Sequence, residues 1–235
     1  MRLILGWMGL AGLMLPMAGA QSASFLVSQH GQKVGTVSYR QVESAAGVAS
    51  NSLIKVHMEG LDYDLSKSEE LTAGHHLRHA EINAAVNGSA VNMGVDVDST
   101  GVVLKMAANG HLTTSTLARH TGAVLLADFD AGAIDTLLRL YVAQNGRDLW
   151  AVIPKQAGSV QSVQLVSYAD EKGTVNGKEV VVHHLQLRAG DEQIELFTNS
   201  NYRLQQAEYM SQGFAVVREG FVLTPPAKPL AAPVE

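Results

Sequence analysis

Along most of this chain, hydrophobic and polar residues alternate. In residues 52–59, Ile54, Val56 and Met58 are separated by Lys55, His57 and Glu59, the period of two of a half-buried strand. Residues 61–71 repeat it, with Leu61, Tyr63 and Leu65 predicted inward and Asp62, Asp64 and Ser66 outward. Further on, Val91, Met93, Val95 and Val97 oppose Asn92, Gly94 and Asp96. Later, Val181, His183, Leu185 and Leu187 oppose His184, Gln186 and Arg188. Between such runs sit Asn87-Gly88, Asn109-Gly110 and Asn176-Gly177. Asn-Gly suits the two positive-φ positions of a type I′ turn, so each dipeptide predicts a tight hairpin. His30-Gly31-Gln32 marks another hairpin. Between the two ends of the chain only Pro154 interrupts, which suits a continuous hydrogen-bonded ladder.

One stretch departs from this pattern. In residues 128–146 the apolar side chains recur at threes and fours: Ile134, Leu137, Leu138, Tyr141 and Val142, widened by Ala133 and Leu140. This predicts a helix near residues 130–144, capped by Asp128 or Asp130 and ended by Asn145-Gly146 in a left-handed turn. Asp135 and Arg139, an i,i+4 ion pair, are assigned the wet stripe. Burying five large side chains contributes roughly 7–15 kcal/mol, an upper bound because unfolded chains are partly compact. A lone helix of this length is marginal in water, so tertiary packing must hold it. The fold class expected is mainly β: a single curved antiparallel sheet, an open half-barrel of about ten or more strands, wrapped around one α-helix. The helix face is open to two readings: plain core, or the wall of a ligand pocket, for which Ile134, Leu137, Leu138 and Tyr141 are the candidates.

The ends add a destination. Arg2, an apolar run over residues 3–17 and Ala18-Gly19-Ala20 form the n-region, h-region and cleavage motif of a secretory signal over residues 1–20. A transmembrane anchor is the rival, but the run is short and no stop-transfer charges follow. A single β-rich domain is expected over 21–223. Residues 224–235 carry four of the six prolines and are expected to form an extended tail. The expected location is periplasmic or secreted, with no integral membrane segment after cleavage. Loss of Arg2 takes the net charge from −5 to −6, which argues against nucleic acid and anionic lipid surfaces. The absence of cysteine excludes disulfides, thiolate chemistry and a lipidated N-terminal Cys.

Candidate chemistry is thin. Asp128 and Asp130 are readable as an acid/base pair, but helix capping already accounts for both. His75, His76 and His79 are the densest imidazole cluster; on a helix His75 and His79 would share a face and suit zinc. Ala73-Gly74 reads instead as a turn before a strand, which parts His76 from the other two, and no HExxH pattern is present. His183 and His184 lie on opposite faces of one strand. Asp96-x-Asp98-x-x-Gly101 lacks the later glutamate of a calcium loop and is assigned to a turn. No nucleophile elbow, phosphate loop or dinucleotide fingerprint occurs, so no catalytic residue, metal or cofactor is assigned.

Taken together, the opening Gly31-Gln32-Lys33-Val34-Gly35, the Asn-Gly hairpins, and Leu125-Leu126-Ala127-Asp128 leading into Ile134-Asp135-Thr136-Leu137-Leu138 resemble the periplasmic lipoprotein-carrier (LolA/LolB-like) architecture and related exported families of unknown function. The resemblance spans about residues 24–223 and is one of pattern. It implies a half-barrel that binds acyl chains; the lipidated cysteine of the outer-membrane relative is missing here. The expectation is an exported, non-enzymatic protein that binds an apolar or lipid ligand in the cell envelope, or an envelope protein partner. The alternatives are a structural or interaction module with a fully packed core and, third, a hydrolase whose residues are dispersed in sequence.

Overall fold

The computed structural model describes residues 19–155 and 158–225. Among the described residues are seventeen strands and one helix. Most of the expected signal segment, residues 1–18, and most of the expected tail, residues 226–235, lie outside the described residues. The strands run β1 (Ala20–Gln29), β2 (Gln32–Ser44), β3 (Gly47–Met58), β4 (Leu61–Leu71), β5 (Leu77–Val86), β6 (Ser89–Val97), β7 (Val102–Ala108), β8 (His111–Leu117) and β9 (Ala123–Leu125). Helix α1 (Ala131–Ala143) follows. Then come β10 (Trp150–Ile153), β11 (Ser159–Ser167), β12 (Glu171–Val175), β13 (Lys178–Ala189), β14 (Glu192–Thr198), β15 (Leu204–Tyr209), β16 (Phe214–Arg218) and β17 (Phe221–Leu223).

The first eight strands form an antiparallel meander. Its two Asn-Gly turns, at Asn87 and Asn109 with their glycines, have positive φ at both positions, as do His30-Gly31 and the third Asn-Gly turn, Asn176-Gly177 between β12 and β13. Each Asn-Gly pair joins residues that face one another directly: Val86 and Ser89, Ala108 and His111, Val175 and Lys178. β1 ties the two halves of the chain together, pairing with β2 on one side and β16 on the other. From β16 the sheet continues through β15, β14, β13 and β11 to β10. The sheet is open, and one pair is parallel rather than antiparallel: β9 lies beside β10 in the same direction. The helix is the reason. Parallel neighbours need a crossover of a dozen or more residues, and α1 is that crossover.

The alternation along each strand sets what is inside. In β3, Ile54 and Val56 are closed to solvent while Lys55 and His57 are exposed. On the concave side, Ile134, Leu137, Leu138 and Leu140 of α1 are fully buried among Phe25, Val56, Leu187 and Leu204. Those four helix side chains contribute roughly 6–12 kcal/mol at about 1.5–3 each, as an upper bound. The buried face includes Leu140 and Ala133, as expected, but differs at two positions: Val142 is 51% exposed, and Asp135 sits in the interior instead of on a wet stripe. β12 pairs with the first half of β13 on one side and with β17 on the other, beside a second small core of Val182, Phe197 and Phe221.

Candidate functional site

The interior holds a hollow of about 240 Å³ that the helix does not fill. α1 packs against β2, β3, β9 and β15, which leaves the concave face of β5–β7 without a helix over it. Two rows of cross-strand neighbours form the floor. One is Leu65, Ala84, Val91 and Ala108; the other is Ile82, Met93 and Met106. The first row leaves a trough because its two alanines carry almost no bulk beside Val91. The opposite wall is the segment linking β9 to α1, through Leu126 and Ala127, together with Pro154 after β10.

The polar groups of the pocket gather at one side, where Asp128, Lys155 and Tyr63 border it. Lys155 Nζ is 3.0 Å from Asp128 Oδ1 and 2.7 Å from Glu192 Oε1. Burial works against the Lys155 charge, but the Glu192 and Asp128 carboxylates outweigh it and hold its pKa above the ordinary value. Phe129 sets this corner. Its backbone is left-handed, at φ 61°, and its ring packs edge-on against Tyr63, Tyr209 and Phe214. A bulky residue adopts that conformation only where its surroundings over-determine it, and here three aromatic rings do so. The turn sends Asp128 to the pocket and Asp130 to the helix.

Asp130 is the N-cap. Its Oδ1 accepts from the amides of Gly132 and Ala133, at 3.0 and 3.1 Å, and from Ser52 Oγ at 3.0 Å. Its Oδ2 meets Lys67 Nζ at 2.5 Å. Asp128, the other cap expected from the sequence, is half-exposed and bound to Lys155 instead. Lys67 also reaches Glu69 Oε1 at 2.9 Å and donates to the Leu125 carbonyl at 3.2 Å. Both Lys67 and Glu69 are closed to solvent. Burial opposes the Lys67 charge, yet Asp130 and Glu69 raise its pKa above the usual lysine value. Burial raises that of Glu69, with Lys67 opposing and Asp130 adding. The sequence carried a signal for this cluster. Lys67 and Glu69 continue, in phase, the inward series Leu61, Tyr63, Leu65 and on to Leu71.

A second polar cluster surrounds Asp135. It accepts from Arg203 and, at 3.3 Å, from the Leu204 amide, while Arg139 Nε stands 3.6 Å away. Arg139 and Arg203 both donate to Gln21 Oε1, and Arg139 also pairs with Glu43. These contacts tie the helix to β1, β2 and the start of β15.

Of the helix residues offered by the sequence as a pocket wall, Ile134, Leu137 and Leu138 are in the main core, and Tyr141 stands half-buried beside Tyr202. None borders the hollow, whose floor is sheet. The histidines do not converge. His75 lies 2.9 Å from an Arg139 nitrogen in the β4–β5 loop, and His79 on β5 pairs with Asp96 at 2.8 Å. His183 pairs with Asp170, and His184, on the other face, bridges Glu171 and Glu195. Among the described residues, the group with metal-ligand spacing is His57, Asp62 and Asp64. It is solvent-facing, and both imidazole nitrogens are engaged by the carboxylates, which accounts for it as an ion-paired hairpin end.

No protein-family model matches the chain, and no curated protein matches it in sequence. Solved structures do. A β-barrel-like protein of the domain of unknown function DUF1849 from Brucella abortus superposes with a TM-score of 0.54 at 11% identity, covering 89% of this chain and 99% of that one. A DUF1089 family protein from Pseudomonas aeruginosa aligns over 90% of this chain and 98% of its own, at 12% identity and a TM-score of 0.39. The first likeness shows a shared β-barrel-like fold. Neither is described as a lipoprotein carrier, and the likeness to the first is one of fold alone. Among the described residues no helix is long and apolar enough to cross a membrane.

Proposed function

We propose that the protein acts without catalysis, binding or carrying an apolar ligand in the cell envelope, with the hollow between β4–β7 and residues 126–128 as its site. The hydrocarbon floor of that hollow supports this reading. The interior charges Lys67 and Asp130 nearby are paired with each other, whereas Leu65, Met93 and Met106 face open space large enough for a ligand segment. Export rests on the signal-like first twenty residues. Cleavage after Ala20 would start the mature chain at Gln21, the second residue of β1.

Native mass spectrometry of the protein purified from its own envelope, with titration of an environment-sensitive apolar dye, tests the binding. Saturable dye uptake that Ala84→Phe weakens about tenfold or more supports the pocket. A ligand-free protein that takes up no dye favours the packed interaction module, toward which the fully buried face of α1 already leans. N-terminal sequencing of the mature protein tests export, and a retained Met1 would sink it.

A further inference from the structure

The rim of the hollow is charged unevenly. Lys155 holds two carboxylates, Asp128 of the pocket lining and Glu192 just beyond it, so two acidic groups share one ammonium at this corner. All three are partly exposed, at 45, 37 and 48% of their side-chain surface, and Asp128 and Lys155 line the pocket itself. Tyr63 reports the same field from the pocket's own wall. Its phenol is pushed above the ordinary value by burial and then by the Asp128 and Asp130 carboxylates. Tyr209, behind it, is raised by burial and by Asp128, Asp130 and Glu192. The floor below the rim is hydrocarbon. Its volume of about 240 Å³ has room for a short alkyl segment.

We propose that the pocket selects a cationic amphiphile: a short alkyl segment seated on Ala84, Val91, Met93 and Met106, with an amine or quaternary ammonium head beside Asp128, on the pocket side of its pair with Lys155. The inference rests on the pocket being a ligand site. A cationic head adds the second positive charge that the rim lacks. An anionic head would find Lys155 already held by two carboxylates and would have to displace one while facing the other. The chain's net negative charge acts in the same direction at longer range.

Isothermal titration of the full-length protein with octyltrimethylammonium, octylamine, 1-octanol and octanoate tests this. The two cations are expected to bind about fivefold or more tighter than octanoate, with octanol between, and the preference is expected to shrink at 1 M salt. Asp128→Asn with Glu192→Gln is expected to abolish the cation preference while leaving octanol affinity within about twofold. Octanoate binding as tightly as octylamine overturns the selectivity and leaves the apolar site standing. So does a cation preference that survives both substitutions. Failure of all four octyl compounds to bind, octanol included, overturns the pocket itself.

Discussion

Lys67 Nζ lies 2.5 Å from Asp130 Oδ2, and neither side chain reaches solvent. One belongs to the wall of the sheet and the other to the N-cap of the helix it surrounds. The pair thus joins strand β4 to α1 at the point where the chain turns into the helix. Glu69 makes it a triad with one positive and two acidic groups. Taking such groups out of water is costly, and both carboxylates depend on the one ammonium to recover that cost.

Removing the cation should therefore be severe. Lys67→Met leaves Asp130 and Glu69 without their positive neighbour and is expected to cost about 3–5 kcal/mol. Glu69→Gln removes the surplus acid and is expected to cost less than about 1 kcal/mol, or to stabilise. Urea denaturation of both variants checks the order; equal losses would contradict the description of Glu69 as surplus.

The pH dependence follows from the direction of the Glu69 shift. Burial raises its pKa above the ordinary 4.5. A carboxyl raised by folding binds its proton more tightly in the native state. Its contribution to stability is fully present below 4.5 and is lost as pH climbs through the folded value. The wild-type protein should lose stability relative to Glu69→Gln as pH rises from 4.5, and match its trend below. Parallel curves over that window would rule this out.

Asp130 is coupled to Lys67 as well as to the helix amides. Asp130→Ala is expected to exceed the roughly 0.5–2 kcal/mol of a lost cap, because Lys67 is left buried and unpaired. The double variant with Lys67→Met should cost less than the two single losses added, by about 0.5–3 kcal/mol. Additive losses in a thermodynamic cycle would show that the two side chains act independently.

Gly132 offers a test of packing against propensity. A Cβ there would stand 2.7 Å from Ser52 Oγ and 3.1 Å from Tyr39 Cβ. Alanine favours a helix interior by about 1 kcal/mol over glycine, yet Gly132→Ala is expected to destabilise by about 1–3 kcal/mol. Ser52 would have to leave Asp130 to make room. A stabilised variant in thermal melts would show that the sheet yields there.

How much of this was legible in the sequence depended on the range of the forces involved. The Asn-Gly turns, the alternation in β3 and β4, and the helix stop at Asn145-Gly146 are local. Backbone sterics and a period of two or 3.6 decide them within a few residues, and they stand where the residues place them. The inward phase of Lys67 and Glu69 was also present, hidden because two charges in an apolar series look like the end of a strand's buried face.

The partners of those charges were not legible. Asp130 is 63 positions from Lys67 and Arg203 is 68 from Asp135, and no local pattern records such a meeting. The same holds for the pocket. Ile134, Leu137 and Leu138 carry the helical spacing of any apolar face, and the sequence alone does not tell filled space from empty space. Only the tertiary arrangement decided that α1 crosses beneath β2, β3 and β15 while Ala84 and Ala108 leave a hollow elsewhere. Alternation and turn chemistry determine strands and a curved sheet. Where the sheet's curvature and the helix's position leave room is a sum over side-chain volumes from distant strands, which exists only once the chain has folded.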